Sequence, residues 1–274
     1  VYDVAVFDNL FPTFSRHAHD APALAVPTRD GRGACEVVVY SRDPSTSLGA
    51  LPLWHVDLVL QVWADRYREL GARDDVAYVF PFENRGAEVG VTLHHPHGQI
   101  YGYPFVPPIP ARALAQARDA LARDGTGLLE RIVEEEVRAG RRLLYPGDQA
   151  VAFVPICARY AFECWMLPRR PAASLADLDA AERLDLARAL KTVLMKLDAL
   201  WARPMPYVMS VYQAPTDGRR HPEAHLHLEI YPSYRMAGRL KYLAGSELGA
   251  GVFTADTDPD VSAAELRSVS VHLD

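Results

Sequence analysis

The chain has 274 residues, of which 49% are hydrophobic, and its formal net charge is −6. Such a length allows one large domain or two small ones, each with a substantial core. The acidic balance argues against a general nucleic-acid or membrane-surface binder, which would need a basic face. No apolar run approaches the roughly 20 residues of a membrane span, and no signal peptide is visible. The three cysteines lack the close pairing of a disulfide framework, so we expect a cytoplasmic protein without nucleic-acid or membrane partners.

The first half of the chain predicts a strand-rich unit with one helix. Strand patterns lie at residues 4–7, 36–40 and 76–82, and an amphipathic helix pattern lies at 53–70. A histidine-rich segment follows at 94–99. Because the sequence begins at Val1 without a methionine and is already strand-like by residue 4, we expect a natural segment upstream.

The second half repeats this order of elements. It predicts strands at 150–156 and 161–167 and then a long helix at 175–201, with Ser174 as a candidate cap. Two further strands are predicted at 207–213 and 224–232. We interpret the repeat as an internal duplication. The expected fold is α+β, with histidine-triad-like halves at 1–110 and 150–274 and a helical connection at 111–149. We expect the halves to share one mostly antiparallel sheet with helices packed on it.

The strongest chemical signal is the segment from His94 to Gln99, which reads His-His-Pro-His-Gly-Gln. Proline removes a donor and holds the preceding residue extended. Alternate side chains of extended chain share a face, so His95 and His97 are expected to lie together. Gly98 lets the backbone come close to a ligand, and Gln99 adds an amide donor. This combination suits nucleophilic attack on a phosphorus atom, with the donor on the phosphoryl oxygens.

A second histidine pair, His225 and His227, also alternates along a predicted strand. Two imidazoles on one strand face suit a metal site, for which His221 and Glu229 are the nearest additional ligands. The alternative is a pair of structural histidines that hydrogen-bond to the backbone. Phosphate-loop, GxSxG and HExxH motifs are absent from the sequence.

The first motif and the residues before it closely resemble the galactose-1-phosphate uridylyltransferase family of the histidine-triad superfamily. The specific part of the likeness is His-Pro-His-Gly-Gln-Ile at 95–100, preceded by Phe-Glu-Asn-Arg-Gly at 82–86. Looser matches lie at residues 6–9, 162–168, 225–227 and 241–247. The resemblance therefore extends over essentially the whole chain.

The resemblance implies a two-step transfer of a uridylyl group from UDP-glucose to galactose 1-phosphate. His97 would attack the α-phosphorus, expel glucose 1-phosphate and carry the uridylyl group until galactose 1-phosphate removes it as UDP-galactose. The His95 carbonyl, held by Pro96, would accept the Nδ1 proton of His97 and leave Nε2 free to attack. Gln99 would donate to the phosphoryl oxygens as charge shifts.

The resemblance also implies which residues bind the substrates. They are Asn9, Asn84, Gly90, Thr92, Lys241, Tyr242, Ala244 and Glu247. The first matches a uridine-side contact, the next three match the phosphate-proximal segment, and the last four match a hexose-binding strand and loop. In the family that strand serves the site of the partner subunit, so a homodimer is implied.

Metal binding is where this sequence departs from the family. Many members hold zinc through a CxxC pair, a histidine after a Ser-Pro-Asp stretch and the first histidine of the motif, here His95. The corresponding stretch at 41–44 reads Ser-Arg-Asp-Pro, with proline at the histidine position, so we expect an incomplete zinc site. Some members bind iron through a glutamate, a separate histidine and the second His-x-His pair. Tyr212 aligns with that separate histidine, so we expect the iron site to be lost and His225 and His227 to serve packing and hydrogen bonding.

Two other functions fit the same motif. An adenylyl-transferring phosphorylase that acts on ADP-glucose or dinucleoside tetraphosphates would use the same histidine nucleophile, and differs in its base and its acceptor. A non-catalytic nucleotide-binding homologue would keep the fold, but the intact His-Pro-His-Gly-Gln motif argues against that reading.

Overall fold

One large antiparallel sheet spans both halves of the chain in the computed structural model, which describes residues 2–255 and 257–273. The strands of this sheet are β1 (Ala5–Asp8), β2 (Ala34–Val39), β3 (Tyr78–Arg85), β4 (His97–Tyr103), β5 (Leu143–Pro146), β6 (Ala150–Phe153), β7 (Cys164–Pro168), β8 (Tyr207–Tyr212) and β9 (His227–Pro232). Their order is β1-β2-β4-β3-β8-β9-β7-β6-β5, so β3 of the first half pairs directly with β8 of the second. The predicted α+β fold with a continuous sheet is confirmed. A small hairpin of β10 (Tyr234–Met236) and β11 (Arg239–Leu240) follows.

Helices cover the two faces of the sheet unequally. The described residues form α1 (Leu53–Gly71), α2 (Pro108–Asp124), α3 (Leu128–Ala139), α4 (Ala180–Ala199) and α5 (Pro259–Ser268). Helices α1 and α4 pack on one face, over a core that includes the fully buried Val38, Ile100 and Leu228. The α2–α3 hairpin covers the opposite face of the second half, where Val133 packs against Phe153. In the described part of the chain, every helix falls short of the combined length and apolarity that a bilayer crossing requires.

Strand alternation decides which side chains of the motif leave the core. In β4, Ile100 enters the core, so His97 and Gln99 point to the opposite face of the sheet. The register of β3 against β4 pairs Phe82 with Gln99 and therefore turns Glu83 toward the core. The histidine motif thus lies on the face that α1 and α4 do not cover.

Two predicted boundaries along the sheet were wrong. The segment 111–149 was predicted as a helical connection, yet it also contains β5, which pairs with β6 at one edge of the sheet. A strand of four residues is too short to show a clear period of two, which explains the error. Strand β4 begins only at His97, so His95 lies just before the strand instead of within it.

The long helix predicted at 175–201 is also shorter than expected. A 3₁₀ turn occupies its first residues, and α4 begins at Ala180. The cap is Asp179, whose Oδ1 accepts from the Glu182 amide at 2.9 Å in a capping box, and not Ser174. The Ser174 hydroxyl donates instead to Asp177 Oδ2 at 2.8 Å within the 3₁₀ turn.

Candidate active site

The imidazole of His97 is held by the backbone of its own motif. Its Nδ1 lies 2.7 Å from the carbonyl oxygen of His95. Because a carbonyl oxygen only accepts, Nδ1 carries the proton of the neutral ring. Nε2 is then the nitrogen with an available lone pair, which is the nucleophilic position. The predicted hydrogen bond between these two residues is therefore present.

The backbone before His97 is tied to the end of β2. His95 Nε2 donates to the Ser41 carbonyl at 2.5 Å. The Tyr40 amide donates to the Pro96 carbonyl at 3.1 Å, and the proline ring itself fixes φ. The carbonyl that orients His97 therefore belongs to a segment with three separate restraints.

A neighbouring amide orients Gln99. The Phe11 backbone N–H donates to Asn9 Oδ1 at 2.9 Å, which turns Asn9 Nδ2 toward Gln99 Oε1 at 3.4 Å. With Oε1 accepting, Nε2 of Gln99 is the end of the amide that can donate to a ligand. Asn9, expected on the uridine side, therefore also sets the orientation of Gln99.

Two cavities meet at His97. The larger, about 500 Å³, lies between the loop after β2, the end of β3 and the histidine motif. The smaller, about 180 Å³, brings together Asn84, Gly90, Thr92, His97 and Gln99. Gly90 adopts φ 84°, a left-handed conformation that glycine tolerates without strain. The residues predicted for the phosphate side therefore share one cavity with the candidate nucleophile.

Beneath the motif, the core face of β3 carries a carboxyl group for which the motif alone predicted no role. Glu83 is 3% exposed, and its Oε1 accepts from the Tyr207 hydroxyl at 3.2 Å. Burial raises the pKa of Glu83 to about 7, although the nearby Arg85 opposes the shift. A glutamate at a core-facing position of a strand is the sequence signal that identifies such a group.

Gly98 allows a tyrosine to pack directly beneath the strand. A Cβ atom at position 98 would lie 2.0 Å from the Tyr40 hydroxyl and 2.9 Å from the Phe82 carbonyl oxygen. Tyr40 is fully buried and packs edge-on against Trp63 of α1. Gly98 therefore serves close packing in the core, in addition to the ligand approach expected from the sequence.

Arg85 and Asp198 form an ion pair that lines the larger cavity. Two parallel contacts join the guanidinium to the carboxylate, at 2.7 and 2.9 Å. Such bidentate pairing fixes the guanidinium and balances its charge. The two residues are 113 positions apart in the chain, so the sequence offered no signal of the pair.

Both halves of the chain are similar to known proteins. Two domain profiles match the chain, the N-terminal domain of galactose-1-phosphate uridyl transferase over residues 1–107 and its C-terminal domain over residues 114–274. The galactose-1-phosphate uridylyltransferase of Thermotoga maritima is 34% identical over 279 residues, which is 99% of this chain and 86% of the relative. That of Streptomyces lividans is 38% identical over 220 residues, or 78% and 57% of the two chains. The chain belongs to the galactose-1-phosphate uridylyltransferase family.

Solved structures agree with this assignment. A structure described as a uridylyltransferase matches with a TM-score of 0.93 at 36% identity, over 97% of this chain and 86% of the other. An ADP-glucose phosphorylase from Arabidopsis thaliana matches with a TM-score of 0.84 at 24% identity, over 98% and 82%. At that identity the second likeness concerns the fold alone. The family predicted from the histidine motif is confirmed.

The segment expected from the resemblance to bind the hexose lies outside the lining of the two cavities at His97. Lys241, Tyr242, Ala244 and Glu247 do not occur among the described residues that line the two cavities at His97. Backbone amides of Thr254 and Ala244 donate to Glu247 and lower its pKa to about 2. The Tyr242 side chain is 77% exposed. This segment is therefore closed on itself and presents its tyrosine to solvent.

The second half repeats the hydrogen bonding of the motif. His227 Nδ1 donates to the His225 carbonyl at 2.8 Å, and His225 Nε2 donates to the Pro168 carbonyl at 2.9 Å. The first half has the same arrangement, in which His95 donates to Ser41. Burial lowers the pKa of His225 to about 4, so its ring is neutral near pH 7. The backbone hydrogen bonds expected of structural histidines are present.

A carboxylate faces His227 where the first half carries an amide. Glu229 stands two residues after His227, as Gln99 stands after His97, and its Oε1 lies 3.4 Å from His227 Nε2. Its Oε2 lies 2.6 Å from the Arg159 guanidinium. Burial disfavours the charged form, yet His227 and Arg159 together hold the pKa of Glu229 below its usual value. The Nε2 atom of this imidazole therefore faces a carboxylate, and the ring lines a separate cavity of about 270 Å³ on the second half of the sheet.

The described residues do not by themselves fit either metal of the family. Within residues 2–255 and 257–273, no group of three or more histidine, cysteine, aspartate or glutamate side chains is placed to hold a metal ion. By the resemblance, Pro44 stands at the position of the histidine that would join His95, and Tyr212 at that of the histidine that would join His225 and His227. The Tyr212 ring instead stacks on His227, with centroids 5.0 Å apart.

Proposed function

We propose that this protein transfers a uridylyl group from UDP-glucose to galactose 1-phosphate, with release of glucose 1-phosphate and UDP-galactose. The observation that carries the proposal is the Nδ1 hydrogen bond of His97, which leaves Nε2 available where two cavities meet. A nucleophile between two cavities suits a nucleotide on one side and a sugar phosphate on the other. The names of the relatives support the choice of substrates.

In the first half-reaction, Nε2 of His97 attacks the α-phosphorus of UDP-glucose. The new N–P bond forms as the bond from phosphorus to the bridging oxygen breaks, and glucose 1-phosphate leaves with that electron pair. Positive charge develops on the imidazole and is stabilised by the His95 carbonyl, which accepts from Nδ1.

In the second half-reaction, a phosphate oxygen of galactose 1-phosphate attacks the same phosphorus. The N–P bond breaks, its electron pair returns to Nε2 of His97, and UDP-galactose leaves. Gln99 donates from Nε2 to a non-bridging phosphoryl oxygen in both steps, because Asn9 holds the opposite end of its amide. Splitting the transfer lets one sugar phosphate leave before the next enters.

The acceptor site is proposed to include a second copy of the chain. Lys241, Tyr242, Ala244 and Glu247 lie away from the cavities of their own His97, so we assign them to the site of the partner subunit in a homodimer. A lysine suits the charge of a sugar phosphate, and an ionised glutamate accepts from hexose hydroxyls. All three cysteines are free thiols, which supports a cytoplasmic location.

For His225 and His227 we propose a structural role, with no complete zinc or iron site among the described residues. Both rings donate to backbone carbonyls, and those bonds order the start of β9. Metal analysis of the purified protein tests this assignment. One tightly held ion per chain that is lost in His225→Asn would contradict it.

The first experiment for the reaction is the mass of the intact protein. The protein is mixed with UDP-glucose alone and measured, and galactose 1-phosphate is then added. We expect a gain of one uridylyl group that galactose 1-phosphate removes. A gain of one adenylyl group with ADP-glucose would assign the phosphorylase reaction instead. No adduct with either donor would contradict transfer and leave a nucleotide-binding role.

A further inference from the structure

A third cavity, about 270 Å³, lies over the second half of the sheet, between the α2–α3 hairpin and strands β7 to β9. It shares no described lining residue with the two cavities at His97. We infer that this cavity binds a planar bicyclic heteroaromatic molecule that carries one N–H donor, a ligand of the indole class. The inference concerns binding and is independent of the proposed transfer reaction.

The walls of the cavity favour a flat, apolar ligand. Ala117 of α2 and Leu129 and Ile132 of α3 line its roof, and Trp165 and Tyr212 line its floor. Aromatic side chains stack on flat rings, and apolar helix side chains gain from removing such rings from water. Ligand sites generally combine this kind of lining with a few placed polar groups.

His225 supplies a hydrogen-bond acceptor to the cavity. His225 Nε2 donates to the Pro168 carbonyl, so Nδ1 of that ring is an acceptor, and it has no partner among the described residues. Gln213 is engaged at both ends, since it accepts from the Leu175 amide at 3.2 Å and donates to the Val79 carbonyl at 3.4 Å. The Nδ1 acceptor of His225 favours a ligand with an N–H donor.

The charge and the volume of the cavity further restrict the class of ligand that it can bind. The carboxylates of Glu223 and Glu229 also line the cavity, each paired to an arginine, so an anionic ligand is disfavoured. An apolar cavity of about 150 Å³ holds one benzene molecule. The larger volume found here, about 270 Å³, accommodates two fused rings.

One cysteine that lines the cavity is exposed to solvent. Cys157 lines the cavity and is exposed, whereas Cys35 and Cys164 are buried. Cys157 is therefore the thiol that a small alkylating reagent reaches first, and a ligand in the cavity should shield it. This thiol reports occupancy without any substitution in the chain.

The test is a fluorine NMR titration of the full chain with 5-fluoroindole, and with 5-fluoro-1-methylindole as the probe that lacks the donor. We expect millimolar or tighter binding of 5-fluoroindole and an affinity at least about tenfold higher than that of the methylated probe. Ala117→Trp fills the cavity and should abolish binding. Ala115→Trp is the matched control, because position 115 is exposed on the same helix and does not line the cavity.

Alkylation of Cys157 by iodoacetamide provides a second measurement on the unaltered protein. We expect saturating 5-fluoroindole to slow this alkylation several-fold and the methylated probe to slow it less. The inference is overturned if 5-fluoroindole neither binds nor protects Cys157, or if it binds Ala117→Trp as tightly as the unaltered chain. Equal affinity for the two probes would overturn the role assigned to His225 Nδ1. Binding with no effect on transfer leaves the inference intact.

Discussion

His97 and His227 hold the same hydrogen bond, from Nδ1 to the carbonyl of the residue two positions earlier, at 2.7 and 2.8 Å. Each histidine begins the corresponding strand of its half. The difference lies at Nε2, which meets two cavities in the first half and lies 3.4 Å from Glu229 in the second. The duplicated hydrogen bond therefore occurs in two different settings, and His97 is the histidine that we propose as the nucleophile.

This difference predicts opposite results for two alanine substitutions. His97→Ala removes the attacking nitrogen, so transfer should fall by at least about a thousandfold and the uridylyl adduct should disappear. Binding of UDP-glucose should persist, as measured by calorimetry. His227→Ala is the matched control and should still form the adduct in the intact-mass measurement. Normal turnover in His97→Ala would rule out the proposed nucleophile.

The contact between Asn9 and Gln99 predicts a non-additive pair of substitutions. Gln99→Ala removes a donor to the phosphoryl oxygens and should lower kcat by about 10²–10³-fold. Asn9→Ala keeps that donor but frees the amide to rotate, so we expect a smaller loss, about tenfold. The double variant should resemble Gln99→Ala, because the two side chains act as one unit. Fully additive losses in steady-state kinetics would show that Asn9 acts by another route.

Because Tyr40 lies close to Gly98, we expect Gly98→Ala to destabilise the protein and a second substitution, at Tyr40, to relieve part of that loss. Gly98→Ala would place Cβ 2.0 Å from the Tyr40 hydroxyl. Overpacking of this kind lowers the free energy of unfolding by about 1–3 kcal/mol. Tyr40→Phe, added to Gly98→Ala, removes the clashing oxygen and should recover part of the loss. Urea unfolding measures both variants, and an absence of recovery would place the strain at the Phe82 carbonyl oxygen and the Tyr40 ring carbon Cζ, each 2.9 Å from that Cβ.

The buried carboxyl of Glu83 predicts how stability depends on pH. Burial raises its folded-state pKa to about 7, above the ordinary value of 4.5 expected in the unfolded chain. The folded state therefore binds this proton more tightly, so its contribution to stability is present at low pH and is lost as pH rises through about 7. Glu83→Gln lacks this titration and keeps an acceptor for Tyr207. The unfolding free energy of the variant relative to the unaltered chain should rise by roughly 2–3 kcal/mol from about pH 5 to about pH 8.

Urea unfolding at these two pH values checks the Glu83 prediction. The control is Glu134→Gln, on the exposed side of α3, which should show no comparable change. The same difference between Glu83→Gln and the unaltered chain at both pH values would mean that Glu83 is ionised in the folded protein throughout this range.

Local chemistry could be predicted from the sequence because it depends on neighbours in the chain. Pro96 restrains the carbonyl that orients His97, and both groups lie within three consecutive residues. The repeated order of elements likewise predicted the second His-x-His strand and a shared antiparallel sheet. Alternation along β4 placed His97 and Gln99 on one face, since the side-chain period of a strand is two.

Tertiary structure alone decided the surroundings of these groups. The pairing of Arg85 with Asp198 joins residues 113 positions apart, and the orientation of Gln99 by Asn9 spans 90 positions. The sequence also could not show that the α2–α3 hairpin encloses a cavity over His225, or that residues 241–247 lie away from His97. Burial, charge pairing and enclosed volume depend on which distant segments pack together. The sequence by itself therefore predicted the candidate nucleophile and the hydrogen bond of its Nδ1, whereas packing decided what surrounds each of the two duplicated histidines.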